Sequence, residues 1–159
     1  MDLKEIIETV SKIKQYFTKH SLNLSVAESC TGGLICHYLT MIPGAGKFFT
    51  GGIVVYSEGS KHILNISEKT IETYGVISDV VAKEMAKGCL ELFKTDYSIA
   101  TTGNLGPTVL ENKEKGLIYI AICNKTEVFV REIRLEGNRL YNKEVASYSA
   151  LKSLLNKLV

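Results

Sequence analysis

Leu22-Asn23-Leu24-Ser25-Val26-Ala27-Glu28-Ser29-Cys30-Thr31-Gly32-Gly33-Leu34-Ile35-Cys36-His37-Tyr38-Leu39 changes period halfway along. From Leu22 to Ala27 apolar and polar residues alternate, the two-residue period of a strand. From Leu34 to Leu39 the run reads as a helix, opened by the paired glycines. The hydroxyls of Ser29 and Thr31 therefore stand where a strand gives way to a helix. A helix start has backbone N–H groups without intrahelical partners and carries partial positive charge. Two chemistries follow and stay open here: an anion cradle, or an acyl-transfer site whose amides hold an oxyanion.

Outward from this stretch the same periods recur. Leu3, Ile6, Ile7, Val10, Ile13 and Phe17 follow helical spacing, predicting an amphipathic helix over 3–19. Ile42-Pro43-Gly44-Ala45-Gly46 breaks the chain, and Phe49 to Ser57 reads as a buried strand. Short helices are expected over 60–64 and 67–73, the second ending at Gly75. Ser78-Asp79 offers an N-cap for a helix to about Phe93, with Val81, Met85 and Leu92 inward. Tyr97 to Thr102 is a third strand, closed by Gly103. Leu117 to Cys123 and Glu127 to Leu135 form a hairpin across Asn124-Lys125-Thr126. Val145, Tyr148, Leu151, Leu155 and Leu158 are periodic in a closing helix over 139–158. Strands alternating with helices, plus one hairpin, predict a three-layer α/β/α sandwich with a mixed, mostly parallel sheet. With no repeat, linker or low-complexity tract, residues 1–159 are read as one domain.

Composition excludes several classes. A net charge of +2, with lysines and arginines dispersed along the chain, argues against a nucleic-acid partner. No apolar run approaches the roughly 18 residues that span a bilayer. The amino-terminal run Met1-Asp2-Leu3-Lys4-Glu5 lacks the basic-then-apolar order of a signal peptide, so a cytoplasmic location is expected. Cys30, Cys36, Cys89 and Cys123 contain no C-x-x-C pair and no histidine cluster accompanies them, which argues against zinc and for reduced thiols. Cys30 is read as a small residue packed under the turn, although a thiol at a helix start can have a lowered pKa.

Three glycine-bearing turns follow strands: Ser29 to Gly33, Ser57 to Gly59, and Gly103 to Gly106. Ligands gather at the carboxyl ends of parallel strands, so these turns are expected to share one crevice. Neither phosphate-loop pattern nor a G-x-S-x-G elbow occurs. A lysine can serve a serine as base when burial lowers its pKa. Lys61, just past the second strand, is best placed, but from local sequence alone it reads as a solvated lysine.

Ala27-Glu28-Ser29-Cys30-Thr31-Gly32-Gly33, Pro43-Gly44-Ala45, Gly51-Gly52, Tyr56-Ser57 with Lys61, Tyr74-Gly75 with Ser78, Met85-Ala86 with Gly88, and Thr102-Gly103 with Gly106-Pro107 occur in one order. This series resembles the CinA C-terminal domain family, densely from about 24 to 107 and more thinly beyond. The family's stand-alone members are nicotinamide-nucleotide amidases. The resemblance implies an α/β/α hydrolase that converts nicotinamide mononucleotide to nicotinate mononucleotide and ammonia, without metal or redox cofactor. It implies Ser29 as nucleophile, Lys61 as its base and Tyr56 as an assisting hydroxyl. Glu28, Thr31, Gly32, Gly33, Thr102 and Gly103 match positions around the nucleotide substrate, with Arg139 and Lys143 completing the set.

The chain also departs from that pattern. Where the family usually has T-G-I-A-G-P followed by a glycine-rich stretch and a K-P-x-G turn, Thr102-Gly103-Asn104-Leu105-Gly106-Pro107 runs into Thr108 to Gly116 without those glycines. Gly137-Asn138-Arg139 stands for G-D-R, and Lys143 replaces a second arginine, keeping charge but losing its two-pronged geometry. A non-catalytic nucleotide-binding homologue with an altered loop is the alternative, and homo-oligomerisation stays open.

Overall fold

A computed structural model describes residues 1–159. Five strands form one sheet: β1 (Leu24–Glu28), β2 (Phe49–Val54), β3 (Tyr97–Gly103), β4 (Leu117–Asn124) and β5 (Val128–Arg134), in the order β2-β1-β3-β4-β5. β1 runs parallel to both neighbours, while β4 is antiparallel to both of its own. The sheet is thus mixed, with two parallel and two antiparallel pairings, and only β4 runs against the other four strands. The cause is local. No helix lies between β3 and β4 to carry a parallel crossover. Between β4 and β5 the Asn124 carboxamide oxygen accepts from Thr126 N, Thr126 Oγ1 and Glu127 N, closing a tight reversal.

One face of the sheet carries α1 (Leu3–Lys19), α2 (Leu34–Thr40) and α5 (Arg139–Leu158). The other carries α3 (Glu68–Tyr74), α4 (Asp79–Phe93) and a 3-10 turn, Gly59–Leu64. Side-chain oxygens of Asp2, Ser67, Ser78 and Asn138 accept from first-turn amides of α1, α3, α4 and α5. Ile6, Val10, Ile13 and Phe17 form the buried stripe of α1, and the Phe17 ring packs edge-on against Tyr97. The buried line of α5 is richer in small and polar residues than its apolar period suggests. Asn142, Ala146, Ser147 and Ala150 are buried, while Val145, Tyr148 and Leu155 lie at the flanks.

β1 alternates in chemistry and is buried along its whole length, the Ser25 hydroxyl bonding Thr95 Oγ1 at 2.7 Å inside the protein. Two expectations need correction. β2 is no buried strand: it lies at a sheet edge and alternates between half-buried and exposed positions. Its glycines admit neighbours, since a Cβ on Gly51 would stand 2.9 Å from the Phe93 ring and one on Gly52 would collide with Cys36 Sγ. Leu92 is exposed, and Phe93 beside it takes the packing position against β2.

Candidate active site

The turns after β1, β2 and β3 open at the same end of the parallel strands, as that topology requires. There they border one cavity. Ser29 and Cys30 enter from the first turn, Tyr56 and Lys61 from the second, Thr102 and Gly103 from the third, and Arg139 from the start of α5.

Lys61 is the main surprise relative to local sequence. It is 1% exposed, and its Nζ lies 3.2 Å from Ser29 Oγ and 3.0 Å from the Val55 carbonyl oxygen. The turn that carries it is wound tightly: Ser60 N donates to Ser57 Oγ, Ser60 Oγ to the Ser57 carbonyl, and Lys61 N to the Glu58 carbonyl. Gly88 lets this turn sit directly on α4, because a Cβ there would overlap the Leu64 carbonyl. Burial pushes the Lys61 pKa below the ordinary lysine value, opposed by Cys30, Glu111 and Glu58. None of the salt bridges involves Lys61. A buried amine with no ion-pair partner, held against a serine hydroxyl, is suited to taking up a proton.

The helix-start amides serve the protein itself. Glu28 is fully buried at the end of β1, and its carboxylate accepts from Gly33 N (3.0 Å), Ile35 N (3.1 Å) and Cys36 N (2.9 Å). Glu28 therefore caps α2 from below and is no lining residue of the cavity. Gly32 N is bonded to the Ser29 carbonyl, which leaves Cys30 N and Thr31 N as the amides of this turn without a protein acceptor. Gly32 and Gly33 have φ of +54° and +94°, the left-handed backbone that turns β1 sharply into α2. Thr31 points inward as well, its hydroxyl 2.7 Å from Thr101 Oγ1. Burial, followed by Glu28, pushes the Cys30 thiol up to about 12, so it stays a packed thiol beside Ser29.

Tyr56 is 56% exposed, and its hydroxyl accepts from Arg139 Nη2 at 2.7 Å instead of meeting Ser29 or Lys61. Arg139 Nη1 donates to the Gly106 carbonyl at 2.7 Å, so this one guanidinium ties the second and third turns together. Thr102 Oγ1 donates to the Val76 carbonyl, and a Cβ on Gly103 would press on Leu117 O and Ile118 of β4. Lys143 stands outside the cavity wall, its Nζ 3.1 Å from where a Gly32 Cβ would be.

Five further wall residues were not singled out from sequence: Val76, Ile77, Asn104, Leu105 and Leu110. The segment from Asn104 to Gly116 crosses the cavity and is pinned by Glu111, whose carboxylate accepts from Val76 N (2.9 Å) and Ile77 N (3.1 Å). Only the departure from the glycine-rich pattern marked this segment in the sequence.

Comparison with known proteins agrees with this architecture. The model of the CinA C-terminal domain matches residues 7–158. A protein named for competence-damage induction in Caldicellulosiruptor saccharolyticus is 42% identical over 149 residues, covering 92% of this chain and 36% of that protein. The CinA-like protein of Amoebophilus asiaticus is 36% identical over 155 residues, 95% of this chain and 37% of that one. The chain thus spans about a third of the length of these curated relatives. Among solved structures, a competence-damaged protein (CinA) superfamily protein from Escherichia coli superposes with a TM-score of 0.94 at 31% identity, covering 99% of this chain and 92% of that one. A competence/damage inducible protein from Agrobacterium tumefaciens gives 0.90 at 33% identity, covering 95% of each. With the fold, the ordered turns and these matches together, the chain belongs to the CinA C-terminal domain family.

Proposed function

We propose that this chain is a serine–lysine amidohydrolase acting on the carboxamide of nicotinamide mononucleotide. The observation that carries the reading is the 3.2 Å approach of the buried Lys61 amine to Ser29 Oγ. In this mechanism Ser29 Oγ attacks the carboxamide carbon while Lys61 takes the hydroxyl proton. The amides of Cys30 and Thr31 receive the developing oxyanion. The C–N bond then breaks, the Lys61 ammonium returns the proton to the departing nitrogen, and ammonia leaves. A water molecule, deprotonated by Lys61, cleaves the acyl ester to give nicotinate mononucleotide and restore Ser29. Arg139 and Lys143, at the mouth and beside Gly32, supply positive charge for the phosphate.

Ammonia release from nicotinamide mononucleotide tests the reading. Ser29→Ala and Lys61→Met are each expected to lower turnover by roughly three orders of magnitude or more, as units of this kind behave. Unchanged turnover in Ser29→Ala would remove the nucleophile from the scheme. Because Lys61 must be neutral to act as base, the rate rises with pH through its lowered pKa; a rate flat across acid pH would exclude that role. A second reading, a nucleotide-binding module without turnover, is favoured by the segment across the cavity, where Leu110 stands in the wall. That reading expects saturable nucleotide binding and no ammonia.

A further inference from the structure

Asn104 follows β3 in the cavity wall shared with Ser29 and Lys61, and it is 2% exposed. It stands where the pattern that this turn resembles has isoleucine. Its backbone is fully engaged: the N–H donates to the Leu117 carbonyl at 2.9 Å, and the carbonyl accepts from Gly116 N at 2.7 Å. The orientation of its carboxamide follows from Gly106, whose N–H donates to Oδ1 at 2.9 Å. The reverse orientation would set an NH2 group against that N–H, donor against donor. Nδ2 is therefore the free end, and it is buried without any acceptor in the protein. Native proteins satisfy nearly all buried donors, and one left over in the wall of a site calls for an acceptor from outside the chain.

We propose that Asn104 is a specificity residue, donating an Nδ2 hydrogen to a carbonyl or carboxylate oxygen of the bound substrate. Substrates with such an oxygen are favoured over those presenting an apolar edge at this wall. A donor built into a site discriminates more sharply than an apolar contact does, because the analogue without the acceptor leaves the donor buried and unpaired. The choice of nicotinamide mononucleotide as substrate rests on the amidase reading above; the free donor does not.

The test is calorimetric binding of nicotinamide mononucleotide and nicotinate mononucleotide to the full chain carrying Ser29→Ala, which blocks turnover. Asn104→Leu removes the donor without adding charge, and Asn104→Asp keeps an oxygen for Gly106 while turning the donor into an acceptor. Both are expected to raise Kd by about tenfold, the scale of one lost hydrogen bond. With Asn104→Asp the loss is larger for the nicotinate form, because carboxylate then faces carboxylate. Unchanged Kd in folded variants would show that Nδ2 meets only water and overturn the proposal. Should neither variant fold, the Asn104 side-chain amide signals of 15N-labelled Ser29→Ala protein give the answer. They shift at saturation with nicotinate mononucleotide if the proposal holds and stay still if it fails. Binding without dependence on Asn104 overturns this inference alone, whereas no binding of either nucleotide removes the proposed substrate and this role together. Binding that depends on Asn104, joined to an absence of ammonia release in the parent, removes the amidase reading and leaves Asn104 in place.

Discussion

Replacing Glu28 should unfold the protein sooner than its place beside Ser29 suggests. The residue is fully buried and is in none of the salt bridges; its carboxylate receives three amides of the turn and first residues of α2. Glu28→Ala removes all three acceptors. Gly33 is half-buried and its amide can turn to water, but Ile35 is fully buried and Cys36 partly so. Two donors left without partners cost about 1–3 kcal/mol each. Loss of negative charge at the helix start adds roughly 0.3–1 kcal/mol. A total of about 4 kcal/mol is a large part of the roughly 5–15 kcal/mol that holds a domain folded. At about 2–4 °C per kcal/mol for a chain of this size, Tm should fall by roughly 8–16 °C. Glu28→Gln keeps one oxygen, which can retain the Gly33 and Ile35 amides while its NH2 faces Cys36 N; the expected loss is about half as large. Differential scanning calorimetry, with guanidinium unfolding followed by circular dichroism, measures both. Glu28→Ala within 1 kcal/mol of the parent, or Gln as damaging as Ala, would refute the reasoning.

Three more outcomes follow from the geometry. Burial lowers the Lys61 pKa, so between that value and the ordinary 10.5 the unfolded chain binds the extra proton and the parent gains stability as pH rises. Lys61→Met removes the burial penalty, so its Tm advantage should be greatest at neutral pH and shrink toward alkaline pH; a gap that widens with pH contradicts this. Gly88→Ala should lower the denaturant midpoint although alanine is the better helix former by about 1 kcal/mol, since the new methyl meets the Leu64 carbonyl. A raised midpoint would count against that contact. Cys30, buried and with its thiol held near 12, should escape iodoacetamide at pH 8 in the folded protein, as peptide mass mapping would report. Rapid labelling of Cys30 under native conditions would contradict its packing.

The parts of the fold that were legible are those written in period and punctuation. The strand-to-helix change at Ser29, the stripe of α1, the Ser78 cap of α4 and the reversal at Asn124 all depend on neighbours in sequence. What was not legible depends on partners brought from elsewhere. Nothing in Phe49 to Val54 states that no strand lies on its far side. The burial of Lys61 depends on Gly88 of another element, and the Tyr56 hydroxyl is turned by Arg139, 83 residues away. Glu28 misled for the opposite reason. It stands next to the candidate nucleophile, yet alternation along β1 sends its side chain beneath α2 while Ser29 reaches the cavity.

The strand order has a consequence for folding order. β1 lies between β2 and β3, both of which follow it in the chain, so the earliest strand to be synthesised waits for both of its neighbours. Parallel pairing of this kind requires long loops to close before any ladder forms, which delays it relative to helices. The bond from Ser29 N to the Thr101 carbonyl needs Tyr97–Gly103 in place, and Arg139 reaches the third turn from a helix farther still along the chain. The candidate nucleophile is thus early in the chain, while the site around it needs segments from almost the whole of its length.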